Sequence, residues 1–92
     1  MAITPPPDVA RLLQTAFQQH QRGDLAAAEE AYRQLLAAQP GHPDALHMLG
    51  VLLDQTDRGE EGAGLIRLAV EGAPGNADAH CNLGRVLERL GR

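Results

Sequence analysis

The sequence feature that most constrains the fold is an internal repeat of 34 residues. When the sequence is shifted by 34 positions, residues 41–58 align with residues 75–92, and seven of the eighteen aligned pairs are identical. The identical residues in the first segment are Gly41, Asp44, Ala45, Leu49, Gly50, Leu53 and Arg58. A fixed period of roughly 20–50 residues is typical of stacked repeats, in which each unit contacts mainly its neighbours. We therefore expect a stack of similar units rather than a globule with one unique topology.

Each period contains two stretches with helical spacing of apolar residues. The first type of stripe has its small and apolar residues at i, i+3, i+4 and i+7, namely Leu46, Leu49, Gly50 and Leu53. The second type comprises Ala28, Ala31, Tyr32, Leu35 and Leu36. Glycines, prolines and N-capping residues fall between the stripes. The pattern predicts an all-α fold with helices at about 8–21, 25–38, 43–56, 60–72 and 77–90, and no segment alternates long enough to form a strand.

Small residues recur where the two helices of one repeat are expected to cross. Ala16 and Ala28 hold these places in the first repeat, and Gly50 and Gly62 hold them in the second. A glycine in a helix costs about 1 kcal/mol relative to alanine, so its presence there needs a packing reason. We expect the two backbones to approach closely at these positions.

Composition excludes several classes of function. A chain of 92 residues has room for one small domain, and its net charge of −4 argues against a phosphate-binding surface. Phe17 and Tyr32 are the only aromatic residues among Phe, Tyr and Trp, so no platform for stacking bases exists. The chain contains neither a secretory signal nor an apolar run of about 18 residues. We expect no nucleic-acid partner, no membrane partner and a cytoplasmic location.

Candidate catalytic and metal-binding residues do not form recognisable constellations. His42 and His47 are five residues apart, whereas two ligands on one helix face need a spacing of four. The single cysteine, Cys81, lacks a neighbouring base and orienting group, and Gly59–Gly64 matches no phosphate-binding loop. The acidic pairs Glu29-Glu30 and Glu60-Glu61 are interpreted as complements to helix dipoles. We expect no enzyme activity, no cofactor and no metal.

The repeats resemble those of the tetratricopeptide repeat family. Each repeat of that family begins with a large apolar residue, followed by a leucine-glycine pair and then by either tyrosine or leucine. Further along come a small residue, a large aliphatic or aromatic residue, an alanine and a closing proline. The second repeat fills these places with Leu46, Leu49-Gly50, Leu53, Gly62, Ile66, Ala69 and Pro74. The third begins the pattern again with His80, Leu83-Gly84 and Leu87, whereas the first departs from it at Thr15 and Gln19.

This resemblance implies a right-handed superhelix of five antiparallel helices. A Pro-rich segment at residues 1–7 precedes the repeat domain at 8–92, with repeats at about 9–42 and 43–76 and the first helix of a third at about 77–92. It also implies a non-catalytic module that binds a peptide or helix of a partner protein in a concave groove. The implied contact residues are Leu13, Phe17, His20, Asp44, His47, Val51, Asp54, Asp78, Cys81, Asn82, Arg85 and Arg89. The chain has no lysine, so it lacks the set with which some members of the family grip a terminal carboxylate.

Two alternatives remain open. Residues 42–51, together with Asn82-Leu83-Gly84, are also similar to the arrays that precede bacterial relatives of the O-linked N-acetylglucosamine transferases and some sulfotransferases. That resemblance implies the targeting region of a larger transferase, in which asparagines at the place of Asn82 hold an extended substrate. The other alternative is a homo-oligomerising scaffold. Its basis is a set of apolar residues of the last helix that we expect to be exposed, namely Leu83, Val86, Leu87 and Leu90.

Overall fold

The computed structural model describes residues 8–91, which form five helices. These are α1 (Val9–Gln21), α2 (Leu25–Ala38), α3 (Pro43–Gln55), α4 (Gly59–Gly72) and α5 (Ala77–Arg89). No strand occurs in this part of the chain, and each helix boundary lies within one residue of its expected position. The all-α prediction is confirmed. The expected Pro-rich segment at residues 1–7 lies outside the described residues, as does Arg92.

Side-chain caps begin four of the five helices. Each capping side chain accepts a hydrogen bond from the backbone N–H three residues on, at 3.1–3.4 Å; the caps are Asp8, Asp24, His42 and Asn76. The remaining helix, α4, follows Arg58, whose side chain makes no capping bond. An uncapped first turn leaves N–H groups without a side-chain partner, so α4 has the weakest start of the five helices.

The turn that follows the first helix of each repeat uses the left-handed backbone conformation. This conformation occurs at Gly23 (φ 82°), Asp57 (φ 61°) and Gly91 (φ 81°), which are spaced by 34 residues. A residue with a side chain is strained in this region, whereas glycine is not. Asp57 therefore carries a local conformational cost that Gly23 and Gly91 avoid.

The helices of the second repeat cross at two glycines, as the sequence predicts. A methyl group on Gly50 would lie 2.7 Å from the carbonyl oxygen of Gly62, closer than carbon and oxygen atoms can approach. In the first repeat, Ala16 and Ala28 are fully buried at the corresponding places. Small side chains thus allow the close crossing in both repeats.

The core consists of two clusters along a body with extents of 54 × 27 × 18 Å. The buried residues of the first cluster are Ala16, Ala28, Tyr32, Leu49, Leu52 and Leu53. The second cluster contains Ala63, Ile66, Ala79 and Val86. This elongated arrangement is expected for stacked repeats, each of which buries its apolar face against the next.

The expectation that Val86 is exposed is wrong. Its side chain is only 3% exposed, because α5 packs against α4 and turns Val86 into the second core cluster. Leu83, Leu87 and Leu90 are partly buried against the same cluster rather than fully exposed. The apolar surface that α5 leaves in contact with water is therefore smaller than the sequence predicts.

Ion pairs join α2 to the start of α4, which are the second helices of the first two repeats. Glu29 accepts hydrogen bonds from Arg58 and Arg33, and Arg33 also binds Glu61 at 3.0 Å. Bonding to Arg58, with a smaller contribution from Arg33 and opposed by burial, lowers the pKa of Glu29 to about 2. Glu29 lies beyond the first turn of α2, so the helix dipole does not explain its position, and its contacts are the ion pairs. Glu60 and Glu61 do lie in the first turn of α4, as the dipole interpretation expects.

Candidate functional site

The first helices of the three repeats form one face of the molecule, which we call the concave surface (α1, α3 and α5). Two pockets lie on it. The first pocket, of about 370 Å³, is lined by Leu13, Gln14, Phe17, Asp44, His47 and Met48. The second pocket, of about 110 Å³, is lined by Val51, Asp54, Gln55, Asn82, Arg85, Val86 and Arg89. Nine of the twelve predicted contact residues line these pockets, and the three that do not are His20, Asp78 and Cys81. Their role in binding remains a prediction.

The first pocket is mainly apolar. Phe17 is 42% exposed, although it is one of the largest hydrophobic residues of the chain, and Leu13 and Met48 beside it are partly buried. Six residues line this pocket, and Asp44 and His47 are the two with an acidic or basic side chain. Exposed apolar side chains that border a pocket are typical of surfaces that bind another molecule.

His47 lines the first pocket but is nearly buried. It is 6% exposed, and the Asn82 side-chain amide donates to its Nε2 atom at 2.8 Å. Burial lowers the pKa of His47, while the nearby carboxylates of Asp78 and Asp44 act in the opposite direction. A neutral ring accepts at Nε2, so His47 and Asn82 join α3 to α5.

His20 also joins neighbouring repeats. Its Nε2 atom lies 2.7 Å from the side-chain oxygen of Gln55, and its Nδ1 atom lies 3.2 Å from the hydroxyl group of Tyr32. Because the Gln55 oxygen can only accept, Nε2–H donates to it. The Tyr32 hydroxyl can donate or accept, so it is a suitable partner for Nδ1 with or without a proton. Tyr32 is fully buried, and burial raises its pKa to about 12.

The third contact between neighbouring first helices is an ion pair. Arg89 lies 2.9 Å from Asp54, whose side chain is 10% exposed. This pair and the two histidine contacts all join residue i to residue i+35, one place beyond the sequence period. Two pocket-lining pairs, Leu13 with Met48 and Val51 with Val86, have the same spacing. Contacts at this spacing were not predicted from the sequence, although it differs from the repeat period of 34 by only one residue.

Neither cysteine chemistry nor metal binding is predicted from the sequence. Cys81 is an exposed free thiol, and no three His, Cys, Asp or Glu residues gather around a metal-sized space within residues 8–91. In the same range, no helix combines the length and apolar character that crossing a bilayer requires. A more open cleft of about 530 Å³ follows one side of α2, but a single helix lines it and its charged residues include the Glu29 ion pairs.

The chain is similar to known repeat proteins. A tetratricopeptide repeat family model matches residues 21–77. A solved structure of an O-GlcNAc transferase mutant from Thermobaculum terrenum is 36% identical, with a TM-score of 0.86 over 95% of this chain and 17% of the transferase chain. The structure of a MamA mutant is 23% identical, with a TM-score of 0.82 over 94% of this chain and 64% of the MamA chain. No match was found among curated proteins.

Proposed function

Because this chain belongs to the tetratricopeptide repeat family, whose repeats serve protein–protein interaction, we propose that its concave surface binds a peptide or helix of a partner protein. The chain acts without catalysis of its own in this proposal. A cytoplasmic location, and a partner that is neither a nucleic acid nor a membrane, belong to the same proposal.

The observation that carries this proposal is the apolar first pocket. Phe17 remains 42% exposed between α1 and α3, next to Leu13 and Met48, in a pocket of about 370 Å³. This volume accommodates a large side chain of a bound segment, and its burial supplies the main favourable free energy of binding. The polar second pocket then offers hydrogen-bonding groups to the continuing segment, chiefly Arg85 and Gln55.

A pair of matched variants tests the groove. Phe17→Ser removes an exposed apolar side chain from the concave surface, and Leu68→Ser removes one that is 50% exposed on α4. We expect the tagged wild-type chain and Leu68→Ser to capture the same partner from a lysate, and Phe17→Ser to lose it. Equal recovery by both variants would remove the groove assignment. Circular dichroism of each variant checks that the fold is intact.

A second candidate is the targeting region of a larger bacterial glycosyltransferase or sulfotransferase. It is favoured by the 36% identity to the O-GlcNAc transferase over 95% of this chain. The chain spans only 17% of that transferase, so the transferase activity itself is not carried over. An antibody against this domain tests the idea: in the source cells it should detect a protein far larger than 9.8 kDa. Detection of a 9.8 kDa species alone contradicts it.

A homo-oligomerising scaffold is the third candidate. The partly exposed apolar residues Leu83, Leu87 and Leu90 on α5 favour it. Light scattering after size exclusion, at several protein concentrations, separates it from the first proposal. A strictly monomeric chain at high concentration contradicts self-association.

A further inference from the structure

The carboxylates of the concave surface differ in whether they have a partner. Asp54 is 10% exposed at its side chain and paired with Arg89. Asp44 and Asp78 are exposed and form no ion pair within residues 8–91. They occupy the same place in successive repeats, in the first turns of α3 and α5. Two negative charges with no ion-pair partner among residues 8–91 therefore lie at the amino-terminal ends of α3 and α5.

Both carboxylates lie near His47, which does not compensate them. Each acts to raise the pKa of His47, but burial outweighs their effect and holds that pKa below its ordinary value. Asp44 lines the first pocket together with Phe17 and Leu13. The apolar pocket thus has a negative edge.

We propose that the first pocket takes a large aliphatic or aromatic side chain of the partner segment, and that an arginine or lysine one or two residues away pairs with Asp44 and Asp78. This inference rests on the proposed function of the concave surface. An extended segment advances by about 3.3 Å per residue, so a side chain one or two residues from the apolar one reaches the negative edge. Unpaired carboxylates attract a cation and repel an acidic segment.

The position of Arg85 gives the cation a preferred place. Arg85 forms no ion pair within residues 8–91 and follows Asp78 by seven residues, or about 10 Å along α5. The positive charge of Arg85 repels a cation at the second pocket. The basic residue of the partner segment therefore lies toward the amino-terminal ends of α3 and α5. Arginine suits this place better than lysine, because its planar group can bind two carboxylate oxygens at once.

A random dodecapeptide library displayed on phage is the probe. It is selected against the wild-type chain, Phe17→Ser, the neutralised double variant Asp44→Asn with Asp78→Asn, and a matched double variant. The matched variant, Glu30→Gln with Glu71→Gln, removes two exposed charges from α2 and α4, the second helices of the repeats. We expect the wild-type and matched chains to select a large apolar residue with arginine or lysine within two positions. The neutralised chain should select the apolar residue alone.

The consensus peptide from the wild-type selection is then labelled with fluorescein and measured by anisotropy. We expect the neutralised chain to bind it about three- to tenfold more weakly, with less dependence on salt, as for exposed charge pairs at an interface. Phe17→Ser should bind it at least about tenfold more weakly, as for loss of an apolar anchor. Thermal denaturation of each variant verifies the fold.

The outcomes separate the two proposals. Selected peptides without a basic residue, or equal affinity of the wild-type and neutralised chains, overturn this inference. If Phe17→Ser still abolishes binding in that case, the proposed function stands. If no peptide is enriched, or enriched peptides bind Phe17→Ser as well as the wild-type chain, both proposals fail.

Discussion

The backbones of Gly50 and Gly62 touch where α3 crosses α4. A methyl group on Gly62 would lie 2.5 Å from the carbonyl oxygen of Gly50, and one on Gly50 would lie 2.7 Å from that of Gly62. Both obstacles are backbone atoms, which cannot rotate away as the end of a side chain can. The distance between the two helices of this repeat is therefore set by the absence of two side chains.

We expect Gly62→Ala to lower the free energy of unfolding by about 1–3 kcal/mol, because the helices must separate to admit the methyl group. Alanine favours a helix over glycine by about 1 kcal/mol, so Gly62→Ala destabilises the protein only if the steric cost at the crossing is larger than this gain. The control is Gly64→Ala in the same helix, where an added methyl meets nothing within 4 Å and should stabilise the protein. Urea denaturation measures both, and equal stabilisation by the two changes contradicts the close crossing.

We expect Asp57→Gly to stabilise the protein by up to about 1 kcal/mol, because glycine adopts the left-handed conformation of this corner without strain. The converse change, Gly23→Asp, should destabilise it by a similar amount at the equivalent corner. Midpoints of thermal unfolding compare the two variants with the wild-type chain. A lower midpoint for Asp57→Gly would contradict this prediction. It would mean that contacts of the Asp57 side chain stabilise the corner by more free energy than the left-handed backbone costs.

Stability should fall as the pH is lowered from about 4.5 to about 2, in part through Glu29. Bonding to Arg58, chiefly, and to Arg33 holds its folded-state pKa at about 2, compared with an ordinary value of 4.5. The unfolded chain therefore binds more protons in this window, so stability present above it is lost within it. In Glu29→Gln we expect a flatter pH dependence and a loss of about 1 kcal/mol at neutral pH, since solvent screens the pairs.

The control for this pH dependence is Glu30→Gln, because Glu30 is exposed and forms no ion pair within residues 8–91. Its unfolding curve between pH 2 and 7 should follow that of the wild-type chain. Identical curves for Glu29→Gln and Glu30→Gln would show that the ion pairs between α2 and α4 do not stabilise the fold.

We expect Asn82→Ala to destabilise the protein by about 1–3 kcal/mol, because it removes the donor to the buried Nε2 atom of His47. The loss should be concentrated at the junction of α3 and α5, so amide hydrogen exchange should accelerate in α5 more than in α1. Cys81→Ala is the matched control, since Cys81 is the exposed neighbour in the same helix. Equal exchange rates in the two variants would contradict a stabilising role for this bond.

Local signals account for the parts of the fold that the sequence predicts well. Helix ends follow from capping residues and helix breakers that act within one turn, such as Asp24 and Pro43. The glycine crossing follows from comparing equivalent positions in the repeats. Both depend on residues close in sequence or related by the period, so no knowledge of the packed structure is needed.

The less predictable features depend on contacts between distant residues. The burial of Val86 results from the packing of α5 against α4, which apolar periodicity does not specify. Glu29 finds Arg58 across 29 residues, a spacing unrelated to the period. The contacts of His20 and His47 were predictable in principle, because their partners lie at i+35. The period of 34, however, aligns His20 with Asp54 and His47 with Cys81, one residue before the actual partners.

The two bonds of His20 make one imidazole ring an indicator of how the second repeat is oriented on the first. Its bond to Tyr32 stays within the first repeat, whereas its bond to Gln55 crosses into the second. A ligand that straightens or tightens the superhelix changes the distance to Gln55 and leaves the distance to Tyr32 as it was. In ¹⁵N-enriched protein, the nitrogen resonances of this ring therefore report curvature at this junction separately from unfolding, with no probe attached to the surface.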